Sequence, residues 1–286
     1  MKKILVLVSS IVMLVNVLEA QDVADKKFRF GLRIMPTPTW LRSNELKLIS
    51  KSSTKFGFGF GLQMEARINS TASFVFGVGG DFLGGKQVYD AGQGYVLSKD
   101  DEYVDSKKVD FTTGAPAIMA SGDKLYELKS RSVSATYVTI PVLLKLMTKD
   151  ISGFKYFGVF GGNIAVQTKY KATDEIAELV AIGTGTATMY NPTAATRKVS
   201  DLRPSGDLIP FNVGLNVGIG AEYNLSGSTS IFFSVNYLRG FINQYQKTSE
   251  TIVDKIKENV NAKTKPANSK QSAFSDAIQI NIGVLF

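Results

Sequence analysis

Apolar and polar residues alternate strictly along several stretches of the chain. In 56–68, Phe56, Phe58, Phe60, Leu62, Met64, Ala66 and Ile68 hold one parity, and Gly57, Gly59, Gly61, Gln63, Glu65 and Arg67 hold the other. In 211–223, Phe211, Val213, Leu215, Val217, Ile219, Ala221 and Tyr223 alternate with Asn212, Gly214, Asn216, Gly218, Gly220 and Glu222. In 28–34, Phe28, Phe30, Leu32 and Ile34 alternate with Arg29, Gly31 and Arg33. At the C-terminus Ile278, Ile280, Ile282, Val284 and Phe286 share a parity. Successive side chains of a strand point to opposite faces, so each segment predicts a strand with one apolar and one polar face. Segments 72–83 (Phe74, Phe76, Val78, Phe82) and 228–240 (Ile231, Phe233, Val235, Tyr237) follow the pattern less cleanly. Segments 133–147 and 154–167 carry apolar residues on both parities, which leaves their facing open. Pro141 lacks an amide donor and is a candidate site for a bulge there.

The connections choose between two architectures. A soluble β-sandwich or lipocalin-like barrel would pack the Phe-rich faces inside. A membrane barrel turns them to lipid and keeps the polar faces within. Three connections are short: 69–71, 148–153 and 224–227. The others are long: roughly 35–54, 85–130, 168–208 and 241–272. Short and long alternate strictly, as in membrane barrels with short periplasmic turns and long outer loops. Most segments reach the ~9–11 residues that a tilted membrane strand needs. The predicted fold is therefore all-β: an eight-stranded, antiparallel, up-and-down transmembrane β-barrel with long extracellular loops.

The N-terminal segment fits an exported chain. Lys2 and Lys3 precede an apolar run from Ile4 to Val15, and Leu18-Glu19-Ala20 precedes Gln21. This is the three-part layout of a secretory signal peptide. The expected organisation is a cleavable signal over 1–20 and a barrel domain over 21–286, located in a cell outer membrane.

Composition narrows the chemistry. The 286 residues contain no His and no Cys, and the net charge is +8. Zinc sites of the usual kinds, Ser-His-Asp and Cys-His machinery, disulfides and lipidated cysteines are thereby excluded. An enzyme would need an acid pair or a lysine mechanism, and no such constellation stands out. No cofactor is expected, and the G-x-G spacings are only the strand period.

The predicted inward set includes Arg29, Arg33, Gln63, Glu65, Arg67, Asp81, Asn212, Asn216, Glu222, Asn236, Gln279 and Asn281. A barrel of eight strands is just wide enough for its own side chains to fill. Arg29, Arg33, Glu65, Arg67, Asp81 and Glu222 are therefore expected to form an interlocked ionic network that plugs the tube, since buried charges must be paired. Inward glycines would leave room for the long side chains.

In the loops, Asp100, Asp101, Glu102 and Asp105 form a weak calcium candidate without the spacing of a calcium loop. Thr173 is placed to cap a short helix over 173–180. Thr251-Ile252-Val253-Asp254, with Ile256 and Val260, predicts a short amphipathic helix over 251–260. The connection over 241–272 is basic, which favours anionic lipid head groups as partners. Its charge is too spread, and its location wrong, for nucleic acid.

The strand Tyr137-Val138-Thr139-Ile140-Pro141-Val142-Leu143-Leu144-Lys145-Leu146 resembles the YxxIPLLLK strand of the PorT-like small outer-membrane β-barrel family of Bacteroidota-type bacteria. Gly57-Phe58-Gly59-Phe60-Gly61, the Gly158–Gly162 strand and Val284-Leu285-Phe286 support the resemblance over 27–286. It implies the same fold and location. Family members include a component of the type IX secretion apparatus. The expected function is a non-enzymatic structural or surface-interaction role through the extracellular loops, with outer-membrane lipid, lipopolysaccharide or an envelope protein as partner. A component of a secretion or assembly complex, and a narrow channel or small-molecule binder, are the alternatives.

Overall fold

The structure is a computed structural model that describes residues 27–45, 49–99, 102–103, 124–182, 189–202, 208–253 and 268–286. Eight long strands carry the architecture: β1 (Phe28–Arg42), β3 (Lys55–Arg67), β4 (Ala72–Tyr89), β7 (Lys124–Met147), β8 (Phe154–Ile182), β10 (Phe211–Ser226), β11 (Thr229–Gly240) and β14 (Phe274–Leu285). Each pairs antiparallel with the next, and β1 closes the ring on β14 with Gly31 opposite Leu285 and Leu32 opposite Val284. Closure leaves no free edge within the eight-strand ring. Six further strands extend the outer end: β2 (Ile49–Ser53), β5 (Tyr95–Lys99), β6 (Glu102–Tyr103), β9 (Met189–Leu202), β12 (Thr248–Val253) and β13 (Asn268–Lys270).

The short turns lie where the sequence places them. Gly153 and Gly227 take positive φ, which glycine adopts without strain, and Ser152 precedes Gly153 in the left-handed region. The long connections differ from expectation. Much of 85–130 and 168–208 is strand, so β7 runs for 24 residues and β8 for 29. The helix expected over 173–180 does not form. Thr173 to Glu178 are paired with β7, and the carboxylate of Asp174 is buried on Arg131. Residues 251–253 are likewise strand, in β12, and 254–260 lie outside the described residues.

The facing of the ambiguous segments is also resolved. On β7, Val133, Ala135, Tyr137, Thr139, Leu143 and Lys145 are buried, whereas Ser134, Val138, Ile140, Val142 and Leu146 are exposed. Pro141 does not bulge. The β4 ladder passes it by, from Phe76–Val142 to Gly79–Thr139, in unbroken register. The bulge sits on β8 instead. Tyr137 faces Gln167 and Thr136 faces Lys169, so Thr168 is the extra residue. One extra residue flips the facing of the rest of the strand. Below it Phe157 and Val159 point inward, and above it Tyr170, Ala172, Asp174 and Ile176 do.

Outside, an apolar band encircles the barrel. Phe30, Leu32, Phe58, Phe60, Phe82, Ile140, Phe160, Val217, Phe233 and Ile282 are all exposed. Arg29, Arg33, Glu65, Asp81 and Glu222 are all buried. On β7 the band covers Val138 to Leu146. Fourteen residues of that strand, Lys124 to Tyr137, therefore rise beyond it, about 46 Å of strand at about 3.3 Å per residue.

Candidate functional site

The lumen holds the densest chemistry, and four strands build its lower layer. Arg29 (β1) donates to Glu65 on β3 through Nη2 at 2.9 Å, and to Glu222 on β10 through Nη1 and, at 3.0 Å, Nη2. Lys145 (β7) donates to the same two carboxylates, at 2.9 Å to Glu65 and 2.8 Å to Glu222. The result is a neutral square of two cations and two anions, each at most 4 % exposed. The Lys145 ammonium also lies 4.5 Å from the Phe157 ring centroid. Val75, Leu143, Met147, Phe157, Val159, Phe232 and Leu285 form an apolar cluster in the same part of the lumen.

The square contains Arg29, Glu65 and Glu222 as expected from sequence, but its fourth corner is Lys145. A readable signal existed. Val138, Ile140, Val142, Leu144 and Leu146 form an unbroken apolar run on one parity, which puts Lys145 on the inward one.

The other candidates are spread over separate levels. Asp81 accepts a 2.6 Å hydrogen bond from Thr139, and Arg33 donates to Asn281 at 3.4 Å. From Asn281 a ribbon of hydrogen bonds crosses the lumen wall: Asn281 to Ser234, Ser234 to Asn236, Asn236 to Asn216, and Asn216 to Asn163. It joins β14, β11, β10 and β8. Glycine makes room for these groups at two points. A Cβ at Gly59 would collide with Asp81 Oδ1, and one at Gly218 would collide with Asn236 Oδ1. Arg67 stands apart from the network. It is half-buried at the periplasmic mouth, where a polar cavity of about 140 Å³ is lined by Arg29, Arg67, Asp150, Lys155 and Glu222. Among the described residues it forms no ion pair.

Above the apolar band the interior changes character. Leu41, Val133, Ala135, Tyr137, Tyr170, Ala172, Tyr245 and Ala273 form one cluster. Ile49, Tyr89, Val96, Tyr126, Leu128, Ile176, Val199 and Ile252 form another. Between them Arg131 grips Asp174 through Nε and Nη2, both at 2.8 Å, and Tyr103 donates to the same carboxylate at 2.9 Å. Burial alone would lower the Arg131 pKa, but the charge and hydrogen bonds of Asp174 raise it above its ordinary value. Burial pushes the Tyr103, Tyr170 and Tyr245 phenols up. Tyr170 and Tyr245 share a 2.7 Å hydrogen bond. Sequence reading missed this layer because it assigned 168–208 to a loop.

Large side chains close the lumen at successive levels: Lys145, Met35, Leu41, Arg131, Tyr245 and Leu128 are each less than 2 % exposed. The calcium candidate is not brought together in the described residues. Asp100, Asp101 and Asp105 lie outside them, and only the backbone of Glu102 is placed, in β6.

The family model described as "Outer membrane protein beta-barrel domain" matches residues 20–246. No match is found among curated proteins. Similar solved structures include Neisserial surface protein A (9 % identity, 89 % of this chain and 96 % of that one, TM-score 0.34). Outer membrane protein OprG from Pseudomonas aeruginosa is similar at 10 % identity, with 92 % and 99 % coverage and a TM-score of 0.37. The attachment invasion locus protein Ail of Yersinia pestis, solved with the heparin analogue sucrose octasulfate, shares 11 % identity, with 91 % and 99 % coverage and a TM-score of 0.31. Scores of this size carry no functional inference.

Proposed function

Because the chain belongs to the outer membrane protein beta-barrel domain family, we propose that it is a non-enzymatic barrel that anchors a rigid extracellular wall for contact with the envelope surface. The observation that carries this reading is the contrast within each long strand. Inside the apolar band the lumen is filled by the Arg29–Glu65–Lys145–Glu222 square, whereas β7 and β8 continue far beyond the band as paired strands. A filled tube with a tall outer wall suits presentation of a surface better than passage of a solute. Export by a cleavable segment over 1–20 is part of the same reading. Lipopolysaccharide or an envelope protein would meet the wall formed by the upper parts of β7, β8 and β9.

Planar-bilayer recording on the purified full-length mature chain tests it. A silent membrane is expected. Unit conductance steps, abolished by a bulky inward substitution such as Gly79→Phe, would instead establish a narrow channel.

The Tyr137–Leu146 strand favours a second reading, membership of the PorT-like group and a place in a type IX-like secretion or assembly complex. Yet the inward residues of that strand have structural employment: Lys145 closes the ionic square and Thr139 binds Asp81. The motif is thus accounted for by folding, and the surface role stands ahead of it. Co-purification of one defined periplasmic partner at fixed stoichiometry would reverse that order.

A further inference from the structure

The upper edge of the apolar band is not the same all the way round. On the β4–β7–β8 side, three outward rows follow from the register: Phe82–Thr136–Lys169, Gly84–Ser134–Lys171 and Lys86–Ser132–Thr173. Lys55 joins them from β3. It lies across Gly84, where a Cβ would meet its Cδ at 2.9 Å, and its ammonium donates to Ser134 Oγ at 2.6 Å and Val133 O at 3.2 Å. Four lysines and four hydroxyl residues thus share one outward patch. Glu175 stands among them, 3.6 Å from Lys86. Directly below are the exposed Phe82, Val138, Ile140 and Val166.

The opposite side, β1–β14–β11, meets the same level differently. Arg42 is paired with Asp276 at 3.0 Å and lies 4.9 Å from the Phe274 ring centroid. Asp276 also faces Arg239 across the β11–β14 ladder. Two arginines there share one carboxylate beside an aromatic ring, as in an ordinary interfacial girdle, against four lysines and one carboxylate on the β4–β7–β8 side.

We propose that the Lys55–Lys86–Lys169–Lys171 patch docks the phosphate groups of a phosphorylated saccharolipid of the outer leaflet. The inference rests on the outer-membrane reading above and names the partner of its wall. Two observations choose this occupant. The patch has a cationic excess that complements phosphate, which lysine binds as a point charge. It also stands immediately above apolar residues that would take the acyl chains of the same molecule. Neighbouring strands are about 4.8 Å apart and residues on one face about 6.6 Å apart, so the patch is roughly 10 Å wide and 13 Å tall. That is room for two phosphates on a disaccharide. A soluble anion would use the charges but not the apolar shelf.

Binding to the purified full-length mature chain in neutral detergent, followed by native mass spectrometry, tests the assignment. The probes are a bis-phosphorylated lipid A, the same lipid without phosphates, and inorganic phosphate. The combined variant Lys86→Gln, Lys169→Gln, Lys171→Gln is expected to bind the phosphorylated lipid at least about tenfold more weakly than the parent. A control with the same charge loss on the far side of the outer wall, Arg239→Gln, Lys247→Gln, Lys270→Gln, should stay within about threefold of the parent. The phosphate-free lipid should bind both weakly, and millimolar inorganic phosphate should not compete. Unchanged affinity in the patch variant, equal loss in the control, or full competition by inorganic phosphate would each overturn the proposal. Gel mobility before and after boiling separates this from failure of the barrel reading: a folded barrel shifts in every variant, whether or not the lipid binds.

Discussion

Two regions of the same strands obey opposite rules. Between Val138 and Leu146, β7 shows apolar residues to the outside and offers Thr139 and Lys145 to the lumen. Between Ser130 and Tyr137 the assignment is reversed. Ser132, Ser134 and Thr136 look outward, while Val133, Ala135 and Tyr137 join a buried cluster. β8 does the same across its bulge, from outward Phe160, Ile164 and Val166 to outward Lys169 and Lys171. The medium outside the wall explains the reversal. In the bilayer, lipid surrounds the barrel and polar groups can be satisfied only inside. Above it, water surrounds the barrel and the interior is the one place to bury apolar surface. The molecule is therefore inside-out over its lower part and ordinary over its upper part, with the exchange made within single continuous strands.

The comparison can be broken most sharply in the lower lumen. Lys145→Met removes one cation from the square and leaves Glu65 and Glu222 with a single partner. Loss of about 3–5 kcal/mol is expected, the cost of an uncompensated buried charge. Reversible urea unfolding in detergent micelles would read it as a fall in the midpoint. The quadruple neutral replacement Arg29→Met, Glu65→Gln, Lys145→Met, Glu222→Gln should restore much of that loss, because no charge is left without a partner.

A smaller effect is expected from a matched pair on the outside of β7. Val142→Arg places a cation at the centre of the lipid band at a cost of about 2–4 kcal/mol, whereas Ser134→Arg, on the same face and strand, costs about 0–1 kcal/mol near the interface. Equal costs in the same unfolding assay would contradict a band that ends between the two positions.

In the upper interior, Arg131→Met strands the Asp174 carboxylate. A local loss of about 2–3 kcal/mol is expected, confined to the outer wall. Limited proteolysis should then cut within the upper β7–β9 wall while the membrane part keeps its heat-dependent gel shift.

The smallest effect concerns pH. Tyr103, Tyr170 and Tyr245 have phenol pKa values raised by burial. The unfolded chain ionises first, near pH ~10. Their contribution is therefore complete below that pH and is lost as pH rises through the raised values of the folded state. Absorbance at 295 nm should show a set of tyrosines that ionises only when the upper wall opens, with stability flat between about pH 6 and 9.

The same reversal decides how much could be read from the sequence. Residues 56–68 and 211–223 keep one polarity per face from end to end, because they lie almost wholly within the band, and their facing is legible at once. Residues 133–147 straddle the boundary. Tyr137 and Val133 are apolar for the upper interior, Val138 and Ile140 for lipid, and a parity test that assumes one medium finds both faces apolar. In 154–167 the buried apolar residues Phe157 and Val159 blur the pattern from within, and the Thr168 bulge shifts the parity beyond. Arg29, Glu65 and Glu222 were legible as lumen charges because they interrupt clean strands. Lys145 was hidden in a strand whose facing was open, Asp174 in a segment read as loop and Arg131 between a loop and a strand segment, because long-range pairing holds both in strands.

The most direct measurement of the reversal uses the absence of cysteine from the chain. Single substitutions Ser132→Cys, Ser134→Cys, Val138→Cys, Ile140→Cys and Val142→Cys, spin-labelled in lipid bilayers, report the medium at successive outward positions of one strand. Labels at 132 and 134 should collide with a water-soluble nickel relaxant, and those at 138, 140 and 142 with oxygen dissolved in lipid. A label at 140 that meets the water-soluble relaxant as freely as one at 134 would contradict the account.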